Sequence, residues 1–218
     1  MKVLLINGSP RKNWNTHKLL TEAEHGAKDA GAETVFYNLY DLNFTGCRSC
    51  FACKVKDAKT HGACSWPDDL KPVMQELISA DAVILGSPVY LGNLSAQTNL
   101  FWERLMFCNL SYSSYDRSKR IEKDIRAAMI LTMGCPEELM GRMGYKQQFD
   151  YMGQQFGYTL GNAPAKMLYC CDTYQFTDYS KINISPDRAD PVKKAAHREK
   201  QFPVDLERAY ELGKTMAR

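Results

Sequence analysis

Cys47, Cys50 and Cys53 stand at C-x-x-C-x-x-C spacing inside the stretch GCRSCFACKVKDAKTHGAC, residues 46 to 64, and Cys64 follows after ten intervening residues. Thiolates at this spacing wrap a 4Fe-4S cube. The long return to Cys64 does not exclude one, because loop closure costs only about 0.6 kcal/mol per doubling of length. Structural zinc usually takes two separated C-x-x-C knuckles, so a zinc ion here would need His61 or Cys64 to complete its tetrahedron. A redox-active dithiol is a third chemistry. Plain burial is a fourth, since Cys is among the residue types most often found inside. The other four of the eight cysteines, at 108, 135, 170 and 171, are scattered along the chain.

Two further stretches carry chemistry. Residues 8 to 16, GSPRKNWNT, fall between an apolar run and a helix start, where several backbone N–H groups and the helix dipole can converge on one anion. Neither G-x-x-x-x-G-K-[ST] nor G-x-G-x-x-G is present, so a nucleotide P-loop and the dinucleotide fingerprint are both excluded. Ser9, Asn13, Asn15 and Thr16 offer neutral hydrogen-bonding groups, and Arg11 offers a fork suited to phosphate. The plainer alternative is that Asn15 and Thr16 cap the helix and Ser9-Pro10 makes a turn. Residues 86 to 93, GSPVYLGN, place an aromatic at Tyr90 and a glycine at Gly92, which suits a flat heterocycle or an ordinary turn. The histidines at 17, 25, 61 and 197 fall into no metal or triad spacing and read mostly as surface residues.

These loops must be held by regular elements. Val3 to Ile6, Thr34 to Leu39, Ala82 to Leu85, Ala127 to Thr132 and Lys166 to Cys171 are five short apolar runs of the kind expected for buried parallel strands. Helical periodicity lies between them. One helix starts at Asn15-Thr16 and stops at Gly31, one follows Pro67-Asp68-Asp69, one is capped by Ser95, and a long glycine-interrupted one follows Pro136-Glu137-Glu138. A last helix is expected to begin at Pro203. Residues 108 to 125 read as a polar insertion.

Alternation of this kind implies right-handed crossovers and a doubly wound α/β sandwich with a five-stranded parallel sheet of flavodoxin-like order 2-1-3-4-5. In that order the first and third strands are neighbours at the switch point, so the two Gly-Ser-Pro turns share one crevice. With 218 residues, 44% of them apolar, a single domain over 1–218 is expected. A net charge of +3 without a basic stripe argues against a nucleic acid partner. No stretch reaches membrane-spanning length and the apolar N-terminal run is too short for a signal core, so a cytoplasmic protein with reduced thiols is expected.

The segments INGSPRKNWNT, ADAVILGSPVYLGNLSAQTNLFWER and the intervening C-x-x-C-x-x-C…C-x-x-P-D-D-L resemble the NADPH-dependent FMN reductase family and its iron-sulfur flavoprotein relatives. The likeness covers residues 1 to about 135 and weakens beyond. It implies FMN as cofactor, with Ser9, Arg11, Asn13, Asn15 and Thr16 around the phosphate. Pro88, Val89, Tyr90, Leu91, Gly92 and Asn93 would border the isoalloxazine, and Thr132, Met133 and Gly134, next to Cys135, would approach the ring from the other side. Trp14 departs from the pattern, because such proteins usually have glycine there. Cys47, Cys50, Cys53 and Cys64 would ligate a 4Fe-4S cluster if one is present; the iron-sulfur relatives bring their fourth cysteine after fewer residues, so we expect a reduced, packed loop instead. The implied activity is an oxidoreductase taking a hydride from NAD(P)H and passing electrons to a quinone, a nitro or azo compound, free flavin or a protein. The alternative is a flavodoxin-like or iron-sulfur flavoprotein electron carrier, with FMN and with or without a 4Fe-4S cluster. A homodimer is expected from the family's shared flavin sites and the projecting loops.

Overall fold

A computed structural model of the chain describes residues 1–56, 62–112, 121–185 and 189–218. Five parallel strands form the sheet: β1 (Lys2–Asn7), β2 (Glu33–Asn38), β3 (Ala82–Tyr90), β5 (Arg126–Thr132) and β6 (Lys166–Cys170). Their order is β2-β1-β3-β5-β6, the flavodoxin-like arrangement expected, with a two-residue strand β4 (Asn93–Leu94) folded back antiparallel on β3. That sixth strand was not expected, because β3 runs on past its apolar stretch to Tyr90.

Successive residues of one strand feed opposite layers, as period-two geometry requires. Leu4, Ile6, Val83, Leu85, Met129 and Leu131 pack on one face, and Val3, Leu5, Ala82, Ile84, Ala128 and Ile130 on the other. The first layer is covered by α2 (Leu70–Ser79), α3 (Ala96–Asn109) and α5 (Tyr145–Leu160), and the second by α1 (Asn15–Asp29) and α6 (Pro191–Met216). Ser95 caps α3 by accepting from Thr98 N. The helix after Pro136 is two helices, α4 (Glu137–Arg142) and α5, parted at Gly144, whose φ of +74° favours glycine.

Three expectations need correction. Asn15 and Thr16 do not cap α1: the cap position falls on Trp14, which has no side-chain acceptor to offer, and Asn15 is the first helical residue. The last helix begins at Pro191 rather than Pro203, capped by the Asp190 carboxylate accepting from Val192 N and Lys193 N. Pro203 sits inside it on the exposed face, where solvent can reach the carbonyl a turn earlier that it leaves without a donor. The segment 108 to 125 is not wholly irregular, since α3 reaches Asn109 and Ile121 and Ile125 are buried; residues 113–120 lie outside the described residues, as do 57–61 with His61.

The crossing of α1 and α6 is built on two glycines. A Cβ on Gly213 would overlap the Ala23 carbonyl, and one on Gly26 would overlap that of Tyr210, so the two backbones touch. Among the described residues, no helix is long and apolar enough to cross a membrane.

Candidate functional site

β1 and β3 run in register with Asn7 opposite Gly86. The second Gly-Ser-Pro is not the turn expected: Gly86, Ser87 and Pro88 continue β3, paired with Ile130 to Thr132 of β5, so the Gly8-Ser9-Pro10 turn stands beside the C-terminal stretch of β3. Hydrogen bonds tie them together. Gly8 N donates to Gly86 O at 2.8 Å, Ser95 Oγ donates to Gly8 O at 2.6 Å, and Ser95 N donates to Ser87 Oγ at 3.1 Å. All of these groups are buried, where a lost partner costs about 1–3 kcal/mol. Asn7 completes the brace, accepting from Ser9 N at 3.0 Å and donating to Asn38 on β2 at 2.9 Å.

Within the first loop Ser9, Asn15 and Thr16 are buried, Arg11 is half-buried and Asn13 is exposed with φ +65°, a conformation asparagine tolerates. Ser9 Oγ accepts from Arg11 N at 3.2 Å, shaping a tight turn before α1, whose N-terminus carries no side-chain cap. Thr16 shares a 2.8 Å hydroxyl contact with Thr132 at the end of β5, so the first and third loops meet. Asn15 is engaged elsewhere: its Nδ2 donates to Tyr174 O at 3.0 Å and its Oδ1 accepts from Arg198 at 2.6 Å. Its side chain therefore fastens the loop to the C-terminal half of the chain.

Residues 88 to 93 form a hairpin. Pro88 is buried and Val89 half-buried, Tyr90 pairs with Asn93, and the two-residue turn puts Leu91 and Gly92 at φ +51° and +76°. Positive φ at both central positions is the I′ geometry that suits the twist of paired strands. Gln148 supports it, donating to Gly92 O at 3.1 Å. Leu91 is fully exposed at 104% and Tyr90 is exposed beside it, so the hairpin ends in an apolar tip.

Thr132 and Met133 are buried, and the backbone after them is held from several sides. Met133 N donates to Cys170 O, Thr173 N to Met133 O, and Asp172 N to Cys135 O, at 2.9 to 3.0 Å. Lys194 of α6 donates to Gly134 O at 2.9 Å while ion-paired with Asp172. The Gln175 side chain lies against Gly134, and the Gln175 carbonyl accepts from Arg11. Residues 172 to 175 thus join the first and third loops. Sequence reading missed Asp172, Tyr174, Gln175, Lys194 and Arg198, which lie in a polar stretch with no local motif.

The cysteine loop meets the C-terminal half of α3 at a separate pocket. Cys47, Cys50, Cys53 and Cys64 all line it, together with Cys108 and Arg104 of α3. None of the eight cysteines is paired in a disulfide. Ser49 and Phe51 take left-handed φ of +51° and +56° on either side of Cys50, which curls the triplet. Arg104 is 1% exposed. Its Nη1 donates to Asp68 at 2.5 Å and to Thr45 O at 3.3 Å, and its Nη2 to Trp66 O at 3.4 Å. Its Nε is buried without a partner. Cys64 therefore does return to the triplet's pocket, and a buried cation faces the sulfurs. Among the described residues no three metal-ligating side chains stand close enough to hold an ion.

Burial, with Cys64 and Cys53 nearby, pushes the Cys108 thiol up to about 12 from its usual 9.0. A raised acid favours the folded state while it stays neutral, so this contribution is complete below about pH 9 and is lost as pH rises toward 12. Urea midpoints are expected to fall across that window, and Cys108→Ala to flatten the fall. A wild-type slope retained in the variant would contradict this.

Residues 1–137 match the family described as NADPH-dependent FMN reductase. An iron-sulfur flavoprotein of Methanocaldococcus jannaschii is 39% identical over 104 residues, 48% of this chain and 51% of that protein. Another, from Archaeoglobus fulgidus, is 30% identical over 145 residues, 66% of this chain and 60% of that protein. The chain spans about half the length of most of the curated relatives it matches. Among solved structures, the NAD(P)H:quinone oxidoreductase from Methanothermobacter marburgensis superposes with a TM-score of 0.69 at 17% identity, covering 100% of this chain and 98% of that one. An azoreductase from Bacillus anthracis gives 0.62 at 15% identity, covering 98% and 99%. These two share the fold. With the family match running from β1 through the hairpin to the loop after β5, the chain belongs to the NADPH-dependent FMN reductase family.

Proposed function

We propose that this protein is an FMN-dependent oxidoreductase that takes a hydride from NAD(P)H and passes electrons to a quinone, a nitro or azo compound, free flavin or a protein acceptor. The observation that carries the reading is the fastening of the Gly8-Ser9-Pro10 turn to the end of β3 and the start of α3 at the switch point, by Gly8 to Gly86 and Ser95 to Gly8. Family membership supplies the cofactor. The residues fit it: an uncapped helix start, the Ser9 turn, Arg11, Asn13 and Thr16 for a phosphate, and the Tyr90 hairpin with Thr132 to Gly134 for a flat ring. Bound FMN supplies the hydride and electron chemistry. The chain's part is to position it, to keep water from its buried side with Pro88, Thr132 and Met133, and to leave the Tyr90 side open for a donor or acceptor. The same reading takes 1–218 as one FMN-binding domain, because α6 packs on α1 and sends Lys194 and Arg198 to the site. It also places the protein in the cytoplasm, where its thiols would stay reduced, and makes it a homodimer, for which the exposed Leu91, Tyr90 and Tyr112 offer apolar surface.

Purified protein is expected to carry flavin absorbance or to bind added FMN at micromolar or tighter levels, to oxidise NADPH with a quinone, and to sediment as a dimer. A colourless protein that ignores FMN would sink the flavin reading, and monomer at high concentration the dimer. A second reading, an electron carrier with FMN and a 4Fe-4S cluster on Cys47, Cys50, Cys53 and Cys64, is favoured by the convergence of those thiols beside Arg104 and by the names of the relatives. Iron and acid-labile sulfide in anaerobically purified protein, with no steady NADPH turnover, would select it over the first.

A further inference from the structure

We propose that Arg198 of α6 is the second cation of the phosphate site and, with Arg11, tunes it for a phosphate monoester; the choice of FMN as that monoester rests on the flavin reading above. Two arginines from opposite ends of the chain converge on one indole. The Arg11 guanidinium lies 4.2 Å from the centre of the Trp14 ring and that of Arg198 lies 5.6 Å from it, with Phe202 4.1 Å from Arg198. Flat aromatic faces suit guanidinium, which explains how Trp14 is used at this position.

Neither arginine has a carboxylate partner among the described residues. Arg11 donates to the Gln175 carbonyl and Arg198 to the Asn15 amide oxygen, both neutral acceptors. The nearby acids are engaged elsewhere: Asp172 with Lys194 and His197, Asp205 with Arg208, Gln201 and the Cys170 thiol. Both cations also stand at the uncapped, positive end of the 15-residue helix α1. The two guanidiniums therefore have no carboxylate in direct contact among the described residues, although Asp172 and Asp205 line the same cavity as Arg198, and Trp14 Nε1 adds a buried donor with no acceptor. Burial works against the charge on Arg198 and lowers its pKa, so an anion there would restore what burial costs. A phosphate monoester carries close to two negative charges at neutral pH and three acceptor oxygens, which match this set. Arg198 also positions the loop, because its bond to Asn15 Oδ1 leaves Nδ2 facing Tyr174 O.

Calorimetric titration of the wild type, Arg198→Gln and Arg198→Lys with FMN, riboflavin and inorganic phosphate tests the proposal. Arg198→Gln is expected to weaken FMN about tenfold or more and leave riboflavin unchanged, with partial recovery in Arg198→Lys. Lys keeps a cation near Phe202 whereas Gln removes the guanidinium from that ring, and unchanged melting temperatures would show that both variants fold. FMN binding equal to wild type in Arg198→Gln would overturn the proposal, as would equal losses for FMN and riboflavin. A wild type that binds inorganic phosphate, but neither flavin, with phosphate weakened in Arg198→Gln, would support the anion site and overturn the flavin reading instead. A wild type that binds none of the three overturns both.

Discussion

Gly213→Ala should lower stability by about 3 kcal/mol or more, at the upper end of what overpacking costs. Alanine is the better helix former by about 1 kcal/mol, so on propensity alone the substitution would stabilise α6. The contact reverses the sign. The added methyl would overlap the Ala23 carbonyl of α1, and a backbone oxygen cannot rotate aside as a side chain can. The helices must separate instead, opening the buried contacts around Leu19, Leu20, Ala23 and Ala209. At about 2–4 °C per kcal/mol for a chain of this size, the melting temperature is expected to drop by roughly 6–12 °C. Gly141→Ala is the control, since a Cβ there meets nothing within 4 Å in α4 and should be neutral or slightly stabilising. A Gly213→Ala protein as stable as this control would refute the backbone-contact account. Separation of α6 also withdraws Lys194 from Gly134 and Arg198 from Asn15, so flavin affinity should fall with stability.

Arg104→Met is expected to cost about 3–5 kcal/mol, the range for breaking a buried ion pair by removing one partner. Arg104 is 1% exposed and its Asp68 partner 13%. Methionine fills much of the volume, but it leaves the carboxylate without its cation and removes the Arg104 donor from the Thr45 carbonyl, while the Trp66 carbonyl keeps only Asp68 N. Adding Asp68→Asn removes the stranded charge and should recover part of the loss, the mark of a coupled pair. Arg104 bridges α3 to the segment carrying the cysteines, so the same substitution should also speed alkylation of Cys53 and Cys64. Wild-type stability together with wild-type labelling rates would show that the loop is held by something else. Alkylation of Cys50, which is already exposed, should change little.

The strand pattern was legible because a strand covered on both faces must be apolar at every position, whatever lies beside it. Val3 to Ile6 and Ala82 to Leu85 could be placed, and their order inferred, from that requirement and from the handedness of crossovers. The long last helix was harder to read. Its first half is polar enough to resemble a loop and Pro203 looked like a start, although Asp190-Pro191 carried a cap signal of its own. The hairpin at Leu91-Gly92 was also hidden, since leucine does not advertise a positive φ.

By itself, then, the sequence determined the sheet, its switch point, the turn after β1 and the cysteine triplet, all of which depend on neighbours in the chain, but not that Gly86-Ser87-Pro88 continues β3. Only the tertiary structure decided that Cys64 shares one pocket with the triplet and the buried Arg104, and that Asn15 is spent on Tyr174 and Arg198. It likewise brought Arg11 and Arg198, 187 positions apart in the numbering, to one Trp14 ring. The reason is physical: backbone periodicity is set locally, whereas the pairing of charges and donors is set by which helix face closes over the sheet, and here that closure depends on Gly26 and Gly213 letting α6 touch α1.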